Sequence, residues 1–414
     1  MCWSNKRRAL MAAPDRPLRR ANWQAVACDL CGASRPDVLG QREIIVRGRT
    51  CDHEMVFVDA ACGQCGFVQA LERPDDAFLM DYYRDAHIGH RGGELHFDGK
   101  ARLAAVAQRV SGGGRIIEIG ANDGAFCAEL SKAGYDAFGF DPVEADEAAA
   151  VEKGFLEAGI ASVAPRSADA VIAYYVLEHV IEAGAWLRSA LALLKDGGVL
   201  ILEVPDYTTH PQDSLNVEHL LHFTPETLRE LLEQHGLEIL RDQPAPTVAY
   251  GQAIAARLKD RALAETPRPA SGAYLAGGPD RLKQAKAAYA EAMADLARRQ
   301  QAAEAAAKLA RDVDPSGTTS VFIWGANEYA ERAAPLLAQA FSSVQVVDKS
   351  ASKIGTPFPG LAAPIVHPDA AADAGTRIFL LCSPNWNAQI AAEIAAQGWT
   401  ALAVIDAVTG ERLE

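Results

Sequence analysis

The sequence predicts an α/β chain in which two Rossmann-like sheets are joined by a long helix and preceded by a small cysteine-rich unit. Three observations carry that prediction. Apolar, β-prone runs alternate with helical stretches between residues 115 and 204 and again between 320 and 405. The first run of the first set ends in a glycine-punctuated turn that opens a helix. Two C-x-x-C-G units stand ahead of both sets. At 414 residues the chain is too long for one ordinary core, so several domains are expected.

The chain opens on a basic stretch, Asn5-Lys6-Arg7-Arg8 to Arg19-Arg20, that lacks the apolar segment of a secretion signal. Residues 1–22 are therefore expected to be a disordered basic tail. The formal net charge of −14 argues against a nucleic-acid partner, because phosphate contacts need clustered Lys and Arg. No run of apolar residues is long enough to predict a membrane span. Eight cysteines without a secretion signal suggest a reducing cytoplasm, with metal-bound or isolated thiols. Cys2 reads as a tail thiol, Cys127 and Cys382 as small buried apolar groups.

Residues 23–75 are expected to form a zinc-knuckle domain. Cys28-Asp29-Leu30-Cys31-Gly32 and Cys62-Gly63-Gln64-Cys65-Gly66 each end in a glycine that admits positive φ and turns backbone N–H groups toward the sulfurs. Together Cys28, Cys31, Cys62 and Cys65 supply four thiolates, enough to close a tetrahedral structural zinc site. A redox C-x-x-C pair is the alternative, and Cys51 and His53, between the units, are possible substitute ligands.

Residues 76–255 are read as the catalytic domain. Strand Arg115–Ile119 leads into Glu118-Ile119-Gly120-Ala121-Asn122-Asp123-Gly124 and a helix, and a second strand ends at Asp141-Pro142. A G-x-G-x-x-G turn would serve a pyrophosphate; here Glu118 and Asp123 flank the glycines and would repel one. The same charges suit a cofactor with ammonium and sulfonium centres, and Asp141 suits its ribose hydroxyls. Glu118, Gly120, Asn122, Asp123, Gly124, Asp141 and Pro142 are thus read as a class I Rossmann-type site for S-adenosylmethionine.

Two Glu-His pairs follow the third and fourth strands, Glu178-His179 and Glu218-His219, at the sheet end where open α/β folds bind ligands. An imidazole titrating near neutrality suits proton abstraction, although a single histidine in such a place is often only a hydrogen-bonded structural residue. His222 reads as packing or capping. Tyr82 and Tyr83, ahead of the first strand of this domain, are candidates for a lid over the site, with surface packing as the alternative. Thr224-Pro225-Glu226 reads as a capped helix start.

Residues 256–315 are expected to be a helical linker, largely exposed, because Pro279 to Asp312 is rich in Ala, Gln, Glu, Lys and Arg. Residues 316–414 then form the second Rossmann-like unit.

With these motifs in place, the chain resembles the sugar C-methyltransferases of deoxysugar biosynthesis. The resemblance runs through both knuckles, Glu118–Gly124, Val176–His179, Gly198–Pro205, Glu218-His219-Leu220 with Phe223-Thr224, and Val347-Asp348-Lys349-Ser350 with Lys353, Gly355, Pro359 and Gly360. It extends to Pro384-Asn385-Trp386-Asn387. It implies a nucleotide-linked keto-sugar substrate, His219 as the base that forms an enolate, and Glu218 and His179 as its positioning partners. It also implies that the C-terminal unit, whose Trp324-Gly325-Ala326-Asn327 lacks a full dinucleotide motif, helps bind the nucleotide-sugar. The chain departs from that family at Asn216, where Tyr is usual, at Tyr175, where Asn is usual, and at Thr247–Gln252, where a His-Gly-Gly-Ser-like stretch is expected. Methylation of oxygen or nitrogen, and a scaffold that keeps the fold without the activity, remain the competing readings. A monomer or small homo-oligomer is expected.

Overall fold

The computed structural model describes residues 17–21, 23–47, 50–85, 99–142, 151–154, 163–216, 218–245, 250–350, 353–358, 361–384 and 386–413. Most of the expected tail, residues 1–16, lies outside these, as do residues 86–98 of the stretch that follows Tyr83.

The N-terminal module contains β1 (Leu18–Arg20), β2 (Trp23–Ala25), β3 (Pro36–Arg47), β4 (Asp52–Cys62), β5 (Val68–Ala70) and β6 (Glu72–Pro74). Leu18–Arg20 was expected in a disordered tail but pairs in parallel with the start of β4, where its backbone groups find ladder partners. The long β3–β4 hairpin leads into the second cysteine knuckle, and α1 (Asp76–Asp85) closes the module.

The central sheet holds β7 (Arg115–Ile119), β8 (Asp136–Asp141), β9 (Val151–Lys153), β10 (Ala168–Tyr174) and β11 (Leu194–Pro205). After β12 (Leu221–His222), which lies elsewhere, β13 (Leu237–Pro244) and β14 (Gly251–Leu258) complete it. The spatial order is β13-β14-β11-β10-β7-β8-β9. Neighbours from β11 to β9 are parallel, whereas β14 runs antiparallel to both β11 and β13. This is the Rossmann-like sheet of class I methyltransferases with its reversed edge hairpin. Helices α2 (Gly99–Ala107), α3 (Ala125–Lys132), α4 (Ala183–Leu193) and α5 (Pro225–Gln234) accompany it. Thr224 caps α5 through a reciprocal bond with Thr227, as the sequence suggests. Order reverses between β7 and β10, and the loops leaving those strands carry the candidate site.

The module is not detachable from this sheet. Strand β12 pairs antiparallel with β5, so the segment just after His219 belongs to the N-terminal sheet. One apolar core runs from Cys28, Leu30, Phe67 and Tyr82 to Ile117, Leu187 and Leu231.

The helix Gly278–Val313 begins and ends close to the expected positions but is not an exposed spacer. Its first half meets the N-terminal sheet, where the Tyr289 hydroxyl donates to Asp59, itself held by Arg42. In its second half Ala303, Ala306, Ala307 and Ala310 are fully buried against Val321 and Ile323. The alanines that read as helix propensity are therefore also a packing face. Beyond it, β15 (Ser320–Trp324), β16 (Val344–Val347), β17 (Arg377–Leu381), β18 (Ala401–Asp406) and β19 (Glu411–Arg412) form the second sheet, order β16-β15-β17-β18-β19, with only β19 antiparallel. No described helix is long and apolar enough to cross a membrane.

Candidate functional site

The glycine turn after β7 is shaped by backbone conformations that few residues tolerate. Gly120 has φ 75°, Asn122 φ 50° and Gly124 φ 75°. A Cβ on Gly120 would lie 2.4 Å from Cγ2 of Val176, in the loop after β10. Val is stiff at χ1, so Gly120→Ala is expected to distort the loop and weaken S-adenosylhomocysteine binding at least tenfold in a calorimetric titration. Unchanged affinity would remove this turn from the cofactor site. Asn122 N–H donates to Asp141 Oδ2 at 2.8 Å, tying the turn to the end of β8, and Asp123 accepts from the Ala125 N–H at the start of α3. Pro142 follows directly at that edge, partly exposed.

Glu118 does not stand at the lip as expected. It is buried, and the Cys127 thiol of α3 donates to its Oε2. Burial raises its pKa to about 7, so it is not a dependable anion. The charge facing a ligand at this turn therefore rests on Asp123 and Asp141.

The two Glu-His pairs come together. The rings of His179 and His219 meet edge to face, centroids 4.6 Å apart. Glu218 Oε2 lies 4.0 Å from His179 Nδ1, and its Oε1 accepts a 2.6 Å bond from the Tyr82 hydroxyl. Tyr82 is only 2% exposed, so it forms a wall of the site and does not act as a lid. Tyr83 packs edge-on beside it, ring centroids 5.8 Å apart. The Tyr83 pKa is raised, first by burial and then by the carboxylates of Glu218, Glu178 and Asp141.

Asp213, which the sequence reading did not single out, organises the cluster. It sits on the short 3-10 turn Pro211–Leu215. Its Oδ1 contacts His219 Nδ1 at 2.5 Å and its Oδ2 contacts His222 Nδ1 at 2.7 Å. Burial would raise its pKa, but the two imidazoles hold it far below the usual carboxylate range. His222, read as packing, is thus a partner of the same carboxylate. Asn216 Oδ1 accepts the Glu218 N–H, which turns its amide nitrogen toward His219 Nε2 at 2.9 Å. With Nδ1 on Asp213 and the Asn216 amide N–H on Nε2, the neutral form of the imidazole takes the Nδ1–H tautomer, its Nε2 lone pair accepting from Asn216. Asn216 replaces the expected Tyr and acts directly on this atom.

Glu178 is completely buried, and neither carboxyl oxygen has a hydrogen-bond partner among the described residues. Burial raises its pKa to about 8. A neutral carboxyl beside an imidazole base is a hydrogen-bond donor for an oxygen that gains negative charge. Tyr175, at the end of β10, has φ 58°, a left-handed conformation that Asn tolerates better than Tyr. The usual Asn at that position has a backbone explanation.

In the N-terminal module the four knuckle cysteines converge. Cys28 and Cys65 sulfurs are 3.6 Å apart, as are those of Cys31 and Cys62. Zinc–sulfur bonds of about 2.3 Å in a tetrahedron place sulfurs roughly 3.8 Å apart, so the donor set fits zinc. Gly32 at φ 71° and Gly66 at φ 79° make the expected turns, with their N–H groups bonded to Cys28 and Cys62 carbonyls.

The C-terminal sheet repeats the bracing of the glycine turn after β7. Gly325 has φ 105°, and Ala326 N–H donates to Asp348 Oδ2 at 2.8 Å. Lys353 stands next to both, its Nζ 3.2 Å from the Ala326 carbonyl oxygen.

Residues 89–242 match a family described as a methyltransferase domain. The ubiquinone biosynthesis O-methyltransferase of Bradyrhizobium diazoefficiens is 28% identical over 130 residues, 29% of this chain and 51% of that protein. Its counterpart from Bradyrhizobium sp. (strain ORS 278) is 30% identical over 127 residues, 28% of this chain and 50% of that protein. The chain thus spans about half the length of the curated relatives it matches. Among solved structures, the Burkholderia thailandensis 1,6-didemethyltoxoflavin-N1-methyltransferase with bound S-adenosylhomocysteine is 17% identical, with TM-score 0.36 over 47% of this chain and 96% of that one. The chain carries a methyltransferase domain, in the class I Rossmann-like fold that its strand order describes.

Proposed function

We propose that this chain is an S-adenosylmethionine-dependent C-methyltransferase acting on a nucleotide-linked keto-deoxysugar. The observation that supports this most is the Asp213–His219 pair, whose Nε2 is covered by the Asn216 amide that a substrate must displace, with the buried Glu178, its pKa raised to about 8, beside it. Methyl transfer to carbon needs a proton removed next to a ketone. His219 takes that proton, and Asp213 steadies the imidazolium that forms. Glu178 donates to the enolate oxygen, while Tyr82, Glu218 and His179 position the sugar. S-Adenosylmethionine, held by Gly120 to Gly124 and Asp141, supplies the electrophilic methyl group. Asp348 and Lys353 of the C-terminal unit suit the nucleotide end of the substrate, and the four cysteines hold a structural zinc.

Oxygen methylation is the second reading, because both curated relatives are named O-methyltransferases. The two chemistries differ before any methyl moves. The full chain, incubated in deuterium oxide with nucleotide-linked 4-keto-sugars and S-adenosylhomocysteine, is expected to exchange hydrogen at the carbon next to the ketone. The exchange should be abolished in His219→Ala. Methylation from labelled S-adenosylmethionine without such exchange, with the label on oxygen by NMR, would replace the C-methyl reading with the O-methyl one.

A further inference from the structure

A second set of converging donors lies where β4 starts and α1 ends. Cys51 lies at the bend just before β4, His53 is the second residue of that strand, and Asp85 is the last residue of α1. Cys51 Sγ is 3.5 Å from His53 Nε2 and 3.3 Å from Asp85 Oδ2, and His53 Nε2 is 3.0 Å from the same oxygen. Cys51 and His53 are buried, His53 completely.

The geometry separates a metal set from a proton relay. In a relay the carboxylate and the thiol take opposite nitrogens of the imidazole. Here both meet Nε2, and Nδ1 has no hydrogen-bond partner among the described residues. Three unlike donor atoms therefore face one point. Bonds of about 2.3 Å to sulfur and about 2.0–2.2 Å to nitrogen and oxygen put such atoms roughly 3.4–3.6 Å apart around tetrahedral zinc, slightly wider than the distances found. The Asp85 carboxylate is also held in place: Oδ1 accepts the Thr50 N–H at 2.7 Å and Oδ2 the Cys51 N–H at 3.1 Å. Such outer bonds orient a ligand before the ion arrives.

We propose that Cys51, His53 and Asp85 form a second metal site, taking zinc or a divalent cation of similar softness, with its fourth position left to water or a small ligand. The set is distinct from the four-cysteine cluster and shares no residue with it. Its position gives it a purpose. The His53 ring meets Phe78 and Tyr82 of α1 edge-on, centroids 5.7 Å and 5.5 Å away. An ion here pins the end of the helix that carries Tyr82 to Glu218.

The test is metal content of the full-length chain, loaded with zinc and freed of excess ion, measured by mass spectrometry. Two ions per chain are expected, falling to one in His53→Gln and in Asp85→Asn, with far-UV circular dichroism reporting that each variant is folded. Cobalt titration of the unsubstituted chain should show two binding steps. If the four cysteines hold no metal, a single ion that disappears in His53→Gln and stays in Cys31→Ser still supports this site. A single cobalt step, with an ion count indifferent to His53→Gln and Asp85→Asn, would mean that the triad is only hydrogen-bonded, and the proposal falls.

Discussion

His219→Ala, which removes the proposed general base, is expected to lower kcat by about 10²–10⁴-fold while leaving S-adenosylhomocysteine affinity within about twofold of the parent, because a general base contributes on that scale and the glycine turn proposed to hold the cofactor is a different segment. Asp213→Asn should reproduce much of the loss without touching the reacting carbon, since an amide at that place no longer fixes the Nδ1–H tautomer. The pH profile carries the sign of the argument. Burial lowers the His219 pKa, but the Asp213 carboxylate on its Nδ1 raises it by more, so the net shift is upward from the usual value of about 6.5. The neutral imidazole is the active form, so the rate climbs with pH through that raised pKa. Glu178 must keep its proton to donate, and its pKa is raised to about 8, so the rate falls again above that value. The two limbs belong to one coupled cluster. Glu178→Gln keeps a donor that does not titrate and should flatten the alkaline limb alone. An alkaline limb that survives in Glu178→Gln would take the donor role away from Glu178.

Much of this site is legible in the sequence, and the parts that are not have a common cause. Period and punctuation gave both sheets, the knuckles, the glycine turn and the carboxylate ending β8, because each depends on contiguous residues. Asp213 gave no signal. It lies six residues before His219 on a turn with no periodicity, and only the fold shows that one carboxylate serves two histidines. Glu118 looked like a surface charge because an acidic residue at a strand end is usually solvated; its contact with Cys127 depends on α3 folding over it. The alanines of the helix Gly278–Val313 misled in the same way, since helix propensity and a close-packed face use the same residue. Tyr82 and Tyr83 lie beside the Glu-His pairs, the Tyr82 hydroxyl donating to Glu218. Their role changed because Tyr82 is buried against Glu218 and not hinged above it.

Removing the zinc proposed for the four cysteines should unfold more than the knuckles. Cys62→Ser, or prolonged chelation of the full chain, is expected to reduce stability by on the order of 5 kcal/mol or more, because the free energy of structural zinc binding is folding free energy. That is comparable with the whole stability of an ordinary domain. The first and second knuckles are where three other elements attach. The Ala183 N–H at the start of α4 donates to Asp29, Gln234 of α5 donates to the Leu30 carbonyl, and Arg281 of the long helix donates to the Cys65 carbonyl. Gly278 packs so closely that a Cβ there would lie 2.0 Å from the Gln64 carbonyl oxygen. Loosening the knuckles frees these groups and also β5, on which β12 is paired immediately beyond His219. Activity and the thermal transition should therefore fall together as zinc leaves, followed by metal analysis, circular dichroism and turnover on the same samples. A detachable domain would behave otherwise: zinc-free chain, confirmed empty by mass spectrometry, would keep full turnover and an unchanged main transition. That outcome would sever the link from the knuckles to His219, because the shared core of Cys28, Phe67, Tyr82 and Ile117 leaves no route by which one part could soften alone.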